Sequence, residues 1–479
     1  MMNRRRFLAA SALAGTWSMM PPFARAQTPL SEVRVGVIGL NGRGANHIEE
    51  LLKVKAAKLV AICDCDSDVL DRTKAKLEKA GVKVKTFTDF RQMLEGDLVD
   101  AVTIATPNHT HCYIAITSVS AGKPVYVEKP VSHNIWEGRM LATAQKKTGK
   151  IIQHGFQRRS EKAWEDAFKW LNSGDPIGKL KLARGICYKP RPSIGKVAEP
   201  NHPPASVDYD LWSGPRELLP VMREKFHYDW HWQFPYGNGD LGNQGPHQLD
   251  VCRWAIGDPQ KLPAYALSCG GRFGYQDDGQ WANTQIVFLG YDPVPILFEV
   301  RGLPAKDMNY KGGMDKIQGQ DVGNILEYEG GMLIGGHSAA CHVVDQDGKV
   351  MKEFKGSGPS HFETWVQAVI SGKQETQRAA ESGHVSSALA HLGNISWRIG
   401  GVAPLDKIRE GFSHPAAAEA VDRMEAHLAA NGVDVKTSGF TLGGRLETVD
   451  GGEEFRGDSA EKANALLKDS YRSGYEIVV

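Results

Sequence analysis

Across the first third of the chain, short apolar runs alternate with amphipathic stretches of helical length. Val33–Ile38, Leu59–Cys63, Asp100–Ala105, the run Gly122–Pro130 and the stretch from Ile151 are near-continuous apolar segments bounded by Gly, Pro or polar residues. Runs of that kind read as strands buried on both faces. Ala45–Lys53, a stretch through Ala121 and a stretch around Trp136–Lys147 carry helical patterning between them. Strand and helix in strict alternation predict a doubly wound, Rossmann-like α/β domain. From Ala264 to Phe354 the pattern changes to strand-like segments with Gly/Asp turns, including Gln285–Leu289, Ile296–Val300, Ile325–Tyr328 and Met332–Ile334. These predict the sheet of a second domain. Helices are expected at His361–Ser371 and Val385–Arg398, then amphipathic helices and a charged, Gly-rich segment after Gly411.

The chain has 479 residues, 41% of them hydrophobic, enough for two or more globular domains. Lys plus Arg (57) balances Asp plus Glu (56), which argues against a general nucleic-acid or anionic-membrane surface. The seven cysteines are scattered and lack the spacing of a zinc site, so they read as small core residues. Asn3–Arg4–Arg5–Arg6 leads into the apolar segment Leu8–Met20 and then Ala24–Arg25–Ala26. Basic, apolar and small-residue regions in that order resemble a twin-arginine signal, too short for a membrane span. It implies recognition by the twin-arginine export machinery, cleavage after Ala26 and a periplasmic or secreted protein with no stable membrane anchoring. The expected division is 1–26 signal peptide, 32–156 dinucleotide domain, 157–410 substrate-binding domain and 411–479 C-terminal extension. Export in the folded state suggests a cofactor that is loaded first and then held.

The first apolar strand runs into Gly39–Leu40–Asn41–Gly42–Arg43–Gly44 and then a helix. This is a variant of G-x-G-x-x-G in which Asn41 replaces the middle glycine. Asn tolerates left-handed angles, and Gly42 beside it can let pyrophosphate approach the backbone. The helix amino terminus offers unpaired N–H groups to phosphate. The second strand ends at Asp64, twenty residues beyond Gly44. A carboxylate there accepts ribose hydroxyls and repels a 2′-phosphate, favouring NAD over NADP. Thr106–Pro107–Asn108–His109–Thr110–His111 ends the next strand, where a nicotinamide ribose could lie; His111 could equally make a local helix-start bond. Glu128–Lys129–Pro130 brings a carboxylate and an ammonium to the ligand-binding edge of the same sheet. Gln157 and Arg158 follow the last strand and are expected near the cleft.

Together these motifs resemble the glucose–fructose oxidoreductase/inositol dehydrogenase (Gfo/Idh/MocA) family. The resemblance implies a Rossmann NAD(P)-binding domain followed by an α/β domain whose open, mostly antiparallel sheet often serves in homo-oligomerisation. It also implies a sugar, polyol or glycoside as substrate, and it makes Lys129 the main catalytic residue. Gly237–Asp250 is similar to the family pattern Asp-x-x-x-His-x-x-Asp, matching His247 to the catalytic histidine and Asp250 to the acid after it. Asn243 stands where Asp is frequent and cannot take a proton as a carboxylate does. His247 is the leading base and Lys129 the group that stabilises the reacting oxygen, although the roles could be exchanged. Cofactor contacts are expected from Gly39, Asn41, Gly42, Arg43, Gly44, Asp64, Thr106, Pro107, Asn108, His111, Glu128, Lys129 and Gln157. Substrate contacts are expected from Arg158, Tyr228, Trp230, His231 and Asp250, with no metal. The leading reading is an NAD-dependent oxidoreductase. An NAD-dependent glycosidase working by transient oxidation and elimination is the alternative, and a non-catalytic sugar-binding descendant the third.

Overall fold

The computed structural model describes residues 31–436 and 438–479, so the expected signal peptide lies outside the described residues. Six parallel strands form the first sheet: β1 (Val33–Ile38), β2 (Ala57–Cys63), β3 (Lys85–Phe87), β4 (Ala101–Ile104), β5 (Val125–Val127) and β6 (Ile152–His154). Their order is β3-β2-β1-β4-β5-β6, with the reversal between β1 and β4 at the head of the glycine loop. That is the doubly wound arrangement, and it aligns the carboxyl ends of β1, β2, β4 and β5 along one edge. Strand interiors are wholly buried, as their unbroken apolar runs require.

A second sheet contains β7 (Leu180–Tyr188), β8 (Tyr265–Gly271), β9 (Thr284–Gly290), β10 (Ile296–Arg301), β11 (Val322–Tyr328), β12 (Gly331–Gly335), β13 (Ala340–Asp345) and β14 (Val350–Lys355). Every described pairing in it is antiparallel except β7 with β10. Alternation along β10 assigns its two faces. Phe298 faces helices Gly245–Ala255 and Ala380–Arg398, while Leu297 faces helices Leu405–Gly411 and Pro415–Ala430. Arg423 of the last helix reaches buried Glu299 at 2.6 Å, adding an ion pair to the apolar contact. The chain's own helices therefore cover the central strands of the face that the resemblance assigned to oligomerisation.

The segment after Gly411 is also woven into this sheet. Thr441–Leu442 and Leu446–Thr448 pair with β8, extending the sheet at that edge. Beyond them the chain returns to the first domain, where Asp469 meets His133 and Arg216 at 3.1 and 2.6 Å. Short strands rich in Gly and charge gave no periodic signal, which is why the sequence reading treated this stretch as helices and loop.

Asp250, expected at the substrate, is fully buried instead. Its carboxylate takes two hydrogen bonds from Arg159 (2.8 and 2.9 Å) and one from Ser386 (2.6 Å). These positive neighbours hold it well below the usual carboxylate range, against the opposing effect of burial. The pair joins the end of the first domain to helix Gly245–Ala255, and so fixes the angle at which that helix meets the cleft. His384 sits inside helix Ala380–Arg398 and bonds Glu453 at 2.7 Å. Replacing Arg159→Ala leaves Asp250 buried without its main counter-charge. It should destabilise the protein by about 3–5 kcal/mol in denaturant unfolding, and a loss below about 1 kcal/mol would contradict the pairing.

Candidate active site

A cavity of about 540 Å³ runs along the carboxyl edge of the first sheet, from Phe90 and Tyr113 at one end to Lys129 and Asn243 at the other. The glycine loop forms its floor. Gly39 (φ +81°) and Gly42 (φ +50°) take the left-handed conformations, and Asn41 does not, so the strain expected at Asn41 falls on its neighbours. A Cβ on Gly39 would lie 2.8 Å from the Ala105 backbone, and one on Gly44 would lie 1.9 Å from the Gly39 carbonyl oxygen. A Cβ on Gly42 would meet nothing within 4 Å, because that position faces the cavity. Gly39 and Gly44 thus serve close packing of loop, strand and helix, and Gly42 leaves open space over the helix amino terminus. Gly44 itself does not line the cavity.

Asp64 does line it. Its oxygens accept from the Leu40 and Asp66 main-chain N–H groups at 2.9 and 3.0 Å, and burial pushes its pKa up. A carboxylate has about four acceptor sites, so capacity remains for a ribose hydroxyl. Cys63 and Cys65 flank it in the cavity wall; all seven cysteines are free thiols, and six are buried. Among the described residues no cluster of potential metal ligands occurs.

Thr106, Pro107 and Asn108 line the middle of the cavity. The Asn108 side chain donates to Asn238 Oδ1 at 3.0 Å, which ties this wall to the second half of the chain. His111 is buried, and each ring nitrogen lies 2.7 Å from a main-chain carbonyl, one of Pro130 and one of Thr106. It braces the loop against the Glu-Lys-Pro strand end nineteen residues on, and it also lines the cavity. Gln157 also stands behind the cavity wall: its amide donates to Tyr126 and Glu128, each at 3.0 Å.

Glu128 is buried at the end of β5. Arg43, His47 and Gln157 donate to one of its oxygens at 2.8, 3.2 and 3.0 Å. Arg43 and these hydrogen bonds hold it well below its ordinary value despite burial. The next residue, Lys129, is lowered to about 8, chiefly by burial, with Arg43 and Lys189 adding positive charge nearby. Its Nζ donates to the Asn243 carbonyl at 2.5 Å. Asn243 ends the short helix Gly239–Asn243, and Gly245–Ala255 follows at once with His247 in its first turn. The lysine of one domain is thereby fixed at the base of the helix that carries the histidine. His247 packs edge-on against Phe156, and its ring has no hydrogen-bond partner among the described residues. Burial, then the charge of Lys129, holds it well below the ordinary histidine value.

The aromatic stretch supplies the cover over Lys129. Tyr228, Trp230 and His231 line the cavity. His231 stacks on Trp230 with ring centroids 3.7 Å apart, and its Nδ1–H donates to the Tyr228 carbonyl at 2.6 Å. That bond leaves Nε2 as a free acceptor. Burial lowers His231 to about 3, so the ring is neutral near pH 7. Arg158 is turned aside: it bonds Glu161, Ser338 and Gly336 and does not line the cavity.

Several walls had no sequence signal. Leu211, Trp212, Gly214 and His227 come from the Pro-rich segment that runs from β7 to helix Gly239–Asn243, and Tyr475 from the tail. His227 meets Asp66 at 2.8 Å, and Tyr475 meets Asp210 at 2.8 Å, closing the segment down on both sides. The fit to a dinucleotide rests on the open glycine at a helix start, an acid at the end of β2 and a cavity along the sheet edge that reaches a half-buried lysine.

Residues 33–156 match the sequence profile of the Gfo/Idh/MocA oxidoreductase family, described as an NAD-binding Rossmann fold. This domain is therefore a Rossmann domain of the NAD-binding kind. Over 156 residues the chain is 35% identical to the scyllo-inositol 2-dehydrogenase (NAD(+)) of Bacillus subtilis, covering 32% of this chain and 44% of that one. It is 36% identical over 155 residues to an inositol 2-dehydrogenase of Rubrobacter xylanophilus, covering 32% and 43%. The chain spans less than half the length of these curated relatives. Among solved structures, the WlbA dehydrogenase of Bordetella pertussis, in complex with NADH and UDP-GlcNAcA, superposes with a TM-score of 0.53 at 19% identity. That match covers 75% of this chain and 94% of that one. A levoglucosan dehydrogenase in complex with NADH gives 0.56 at 14% identity, covering 75% and 95%. At such identities these likenesses establish the two-domain fold.

Gly39→Ala forces a Cβ into the Ala105 backbone at a positive φ. NAD affinity, titrated by calorimetry, should fall by about tenfold or more; unchanged affinity would separate this loop from the nucleotide.

Proposed function

We propose that the chain is an NAD-dependent oxidoreductase of the Gfo/Idh/MocA family that acts on a hydroxyl-bearing carbon of a sugar, polyol or glycoside. The observation that carries this reading is the 2.5 Å bond from Lys129 to the Asn243 main-chain carbonyl, which fixes a half-buried lysine in the cavity wall, with His247 in the first turn of the helix that follows Asn243. Gly42 and the amino terminus of helix Arg43–Leu51 would hold the pyrophosphate, with Asp64 at the ribose. The acid favours NAD over NADP. When bound, nicotinamide supplies the hydride acceptor.

The protein's own part is to place the alcohol and move one proton. An oxidised alcohol loses its hydroxyl proton to a base within hydrogen-bond reach. Lys129, lowered to about 8, is the better matched of the two candidates, because His247 is held too far below its ordinary range to be an effective base near neutrality. We therefore exchange the roles suggested by sequence. Lys129 takes the proton, and neutral His247 and the free Nε2 of His231 accept hydrogen bonds from neighbouring hydroxyls. Trp230 offers an apolar face to the ring. The Asn243 carbonyl keeps the lysine pointed inward and excludes water from one side of the amine.

Closure of the cleft by the Pro-rich segment and Tyr475 supports retention of NAD through successive turnovers. It suits a protein whose residues 1–26 are read as a leader for export in the folded state. The reading is tested with NAD-loaded protein and a panel of sugars and polyols, following nicotinamide absorbance and products. Lys129→Ala should keep NAD content and lower hydride transfer by about 10²–10⁴-fold; near-normal turnover would remove Lys129 from the chemistry. The base must be deprotonated, so oxidation should rise with pH through a limb near 8 and flatten above it. A limb confined to pH 5–6 would return the role to a histidine.

A further inference from the structure

The lysine end of the cleft holds a local surplus of positive charge. Arg43 is matched by Glu128 at 2.8 Å, Arg191 by Asp240 at 2.6 Å and Arg158 by Glu161 at 2.5 Å. Two ammonium groups remain. Lys129 Nζ meets a main-chain carbonyl. Lys189, the first residue after β7, donates to the side-chain carbonyl of Gln244 at 3.0 Å, and no carboxylate among the described residues lies within ion-pair distance of it. Gln244 is itself steadied by a 3.3 Å bond to Gln248, so the half-buried ammonium is held in place by a neutral chain of amides. Lys129 and Lys189 are anchored on consecutive residues, Asn243 and Gln244, which sets the two ammonium groups near each other beside the Asn243 end of the cavity.

Other features here favour an anion in the same place. Helix Gly245–Ala255 begins beside Gln244, directing its positive end toward this space. Arg191 and Arg158, the side chains suited to bidentate phosphate recognition, are already occupied by Asp240 and Glu161. Apart from Lys129, what remains is the Lys189 ammonium, which matches the single charge of a carboxylate.

We propose that the substrate is a sugar acid, and that Lys189, held by Gln244, binds its carboxylate while Lys129 engages the hydroxyl to be oxidised. Lys189 is thus a specificity residue. Its charge is left open in the free protein because the substrate brings the partner. The proposal rests on the reading of this cleft as the substrate site of a sugar oxidoreductase, and it narrows that reading from sugars in general to hexuronates and related acids.

The test compares glucuronate, galacturonate and mannuronate, each with its own neutral amide, on NAD-loaded protein. Binding is measured by calorimetry and hydride transfer by nicotinamide absorbance. At least one acid should bind about tenfold or more tighter than its amide. Lys189→Met should abolish that preference by raising KM for the acid, with kcat changed less than about twofold. Lys189→Arg should restore most of it, since charge is what the site supplies. Amides bound as tightly as acids by the unaltered protein, or a Lys189→Met loss equal for both, would overturn the proposal. Neutral sugars oxidised without preference for acids would sink this inference and leave the oxidoreductase reading standing. Acids bound with a Lys189-dependent preference but never oxidised would overturn the oxidoreductase reading and, with it, the claim that these acids are substrates.

Discussion

Glu128 is buried at the end of β5, and its carboxylate is satisfied by Arg43, His47, Gln157 and, more distantly, the Lys129 main-chain N–H at 3.2 Å. A lone buried carboxylate is costly, and it persists because each donor comes from a part of the structure that must be aligned. Arg43 opens the helix after the glycine loop, His47 lies one turn along it, and Gln157 follows the last strand. One anion therefore sets the distance between the phosphate-binding loop and the catalytic strand end. It also supplies the negative charge beside Lys129, so that burial lowers the lysine only to about 8 and it still titrates within a useful range.

The second domain acts on this frame from one direction. Asp250 and Arg159 lock helix Gly245–Ala255 to the end of the first sheet; His247 lies in that helix's first turn, Gln244 caps it, and Asn243 just before receives Lys129. The large sheet beneath contributes rigidity more than chemistry, apart from the Lys189 and Arg191 side chains just beyond β7. Charge is conserved carefully near the reaction end. Each arginine has its acid, and the lysines do not. Burial decides which of these groups can move a proton, because it pushes both histidines down much further than it pushes Lys129 relative to neutrality.

The first domain was legible because its information is local. Continuous apolar strands, the glycine loop and an acid at a fixed interval each report a nearby backbone requirement, and β1 falls on the segment expected for it. Lys129 and His247 were singled out through the family resemblance, and the structure sets Lys129 in the cavity wall. Asp250 was misplaced because an acid one helical turn from a catalytic position looks the same in sequence whether it faces ligand or an arginine from another domain. Gln157 and Arg158 were misread for a related reason: the chain turns into a short 3₁₀ segment there and directs both side chains away from the cavity. Tyr475 and Leu211 could not be found, since nothing in their own neighbourhoods records that they meet across the cleft.

The cavity takes its walls from positions as far apart as Gly39 and Tyr475. Synthesis from the amino terminus delivers the loop, the acid and the lysine early, but the last wall only after the large sheet has been made and the chain has travelled back. A nascent protein can therefore possess a folded nucleotide domain for much of its assembly without an enclosed place for the nucleotide. Docking of the final segment is what adds the last wall to that groove, so the site is completed only when the whole chain is in place.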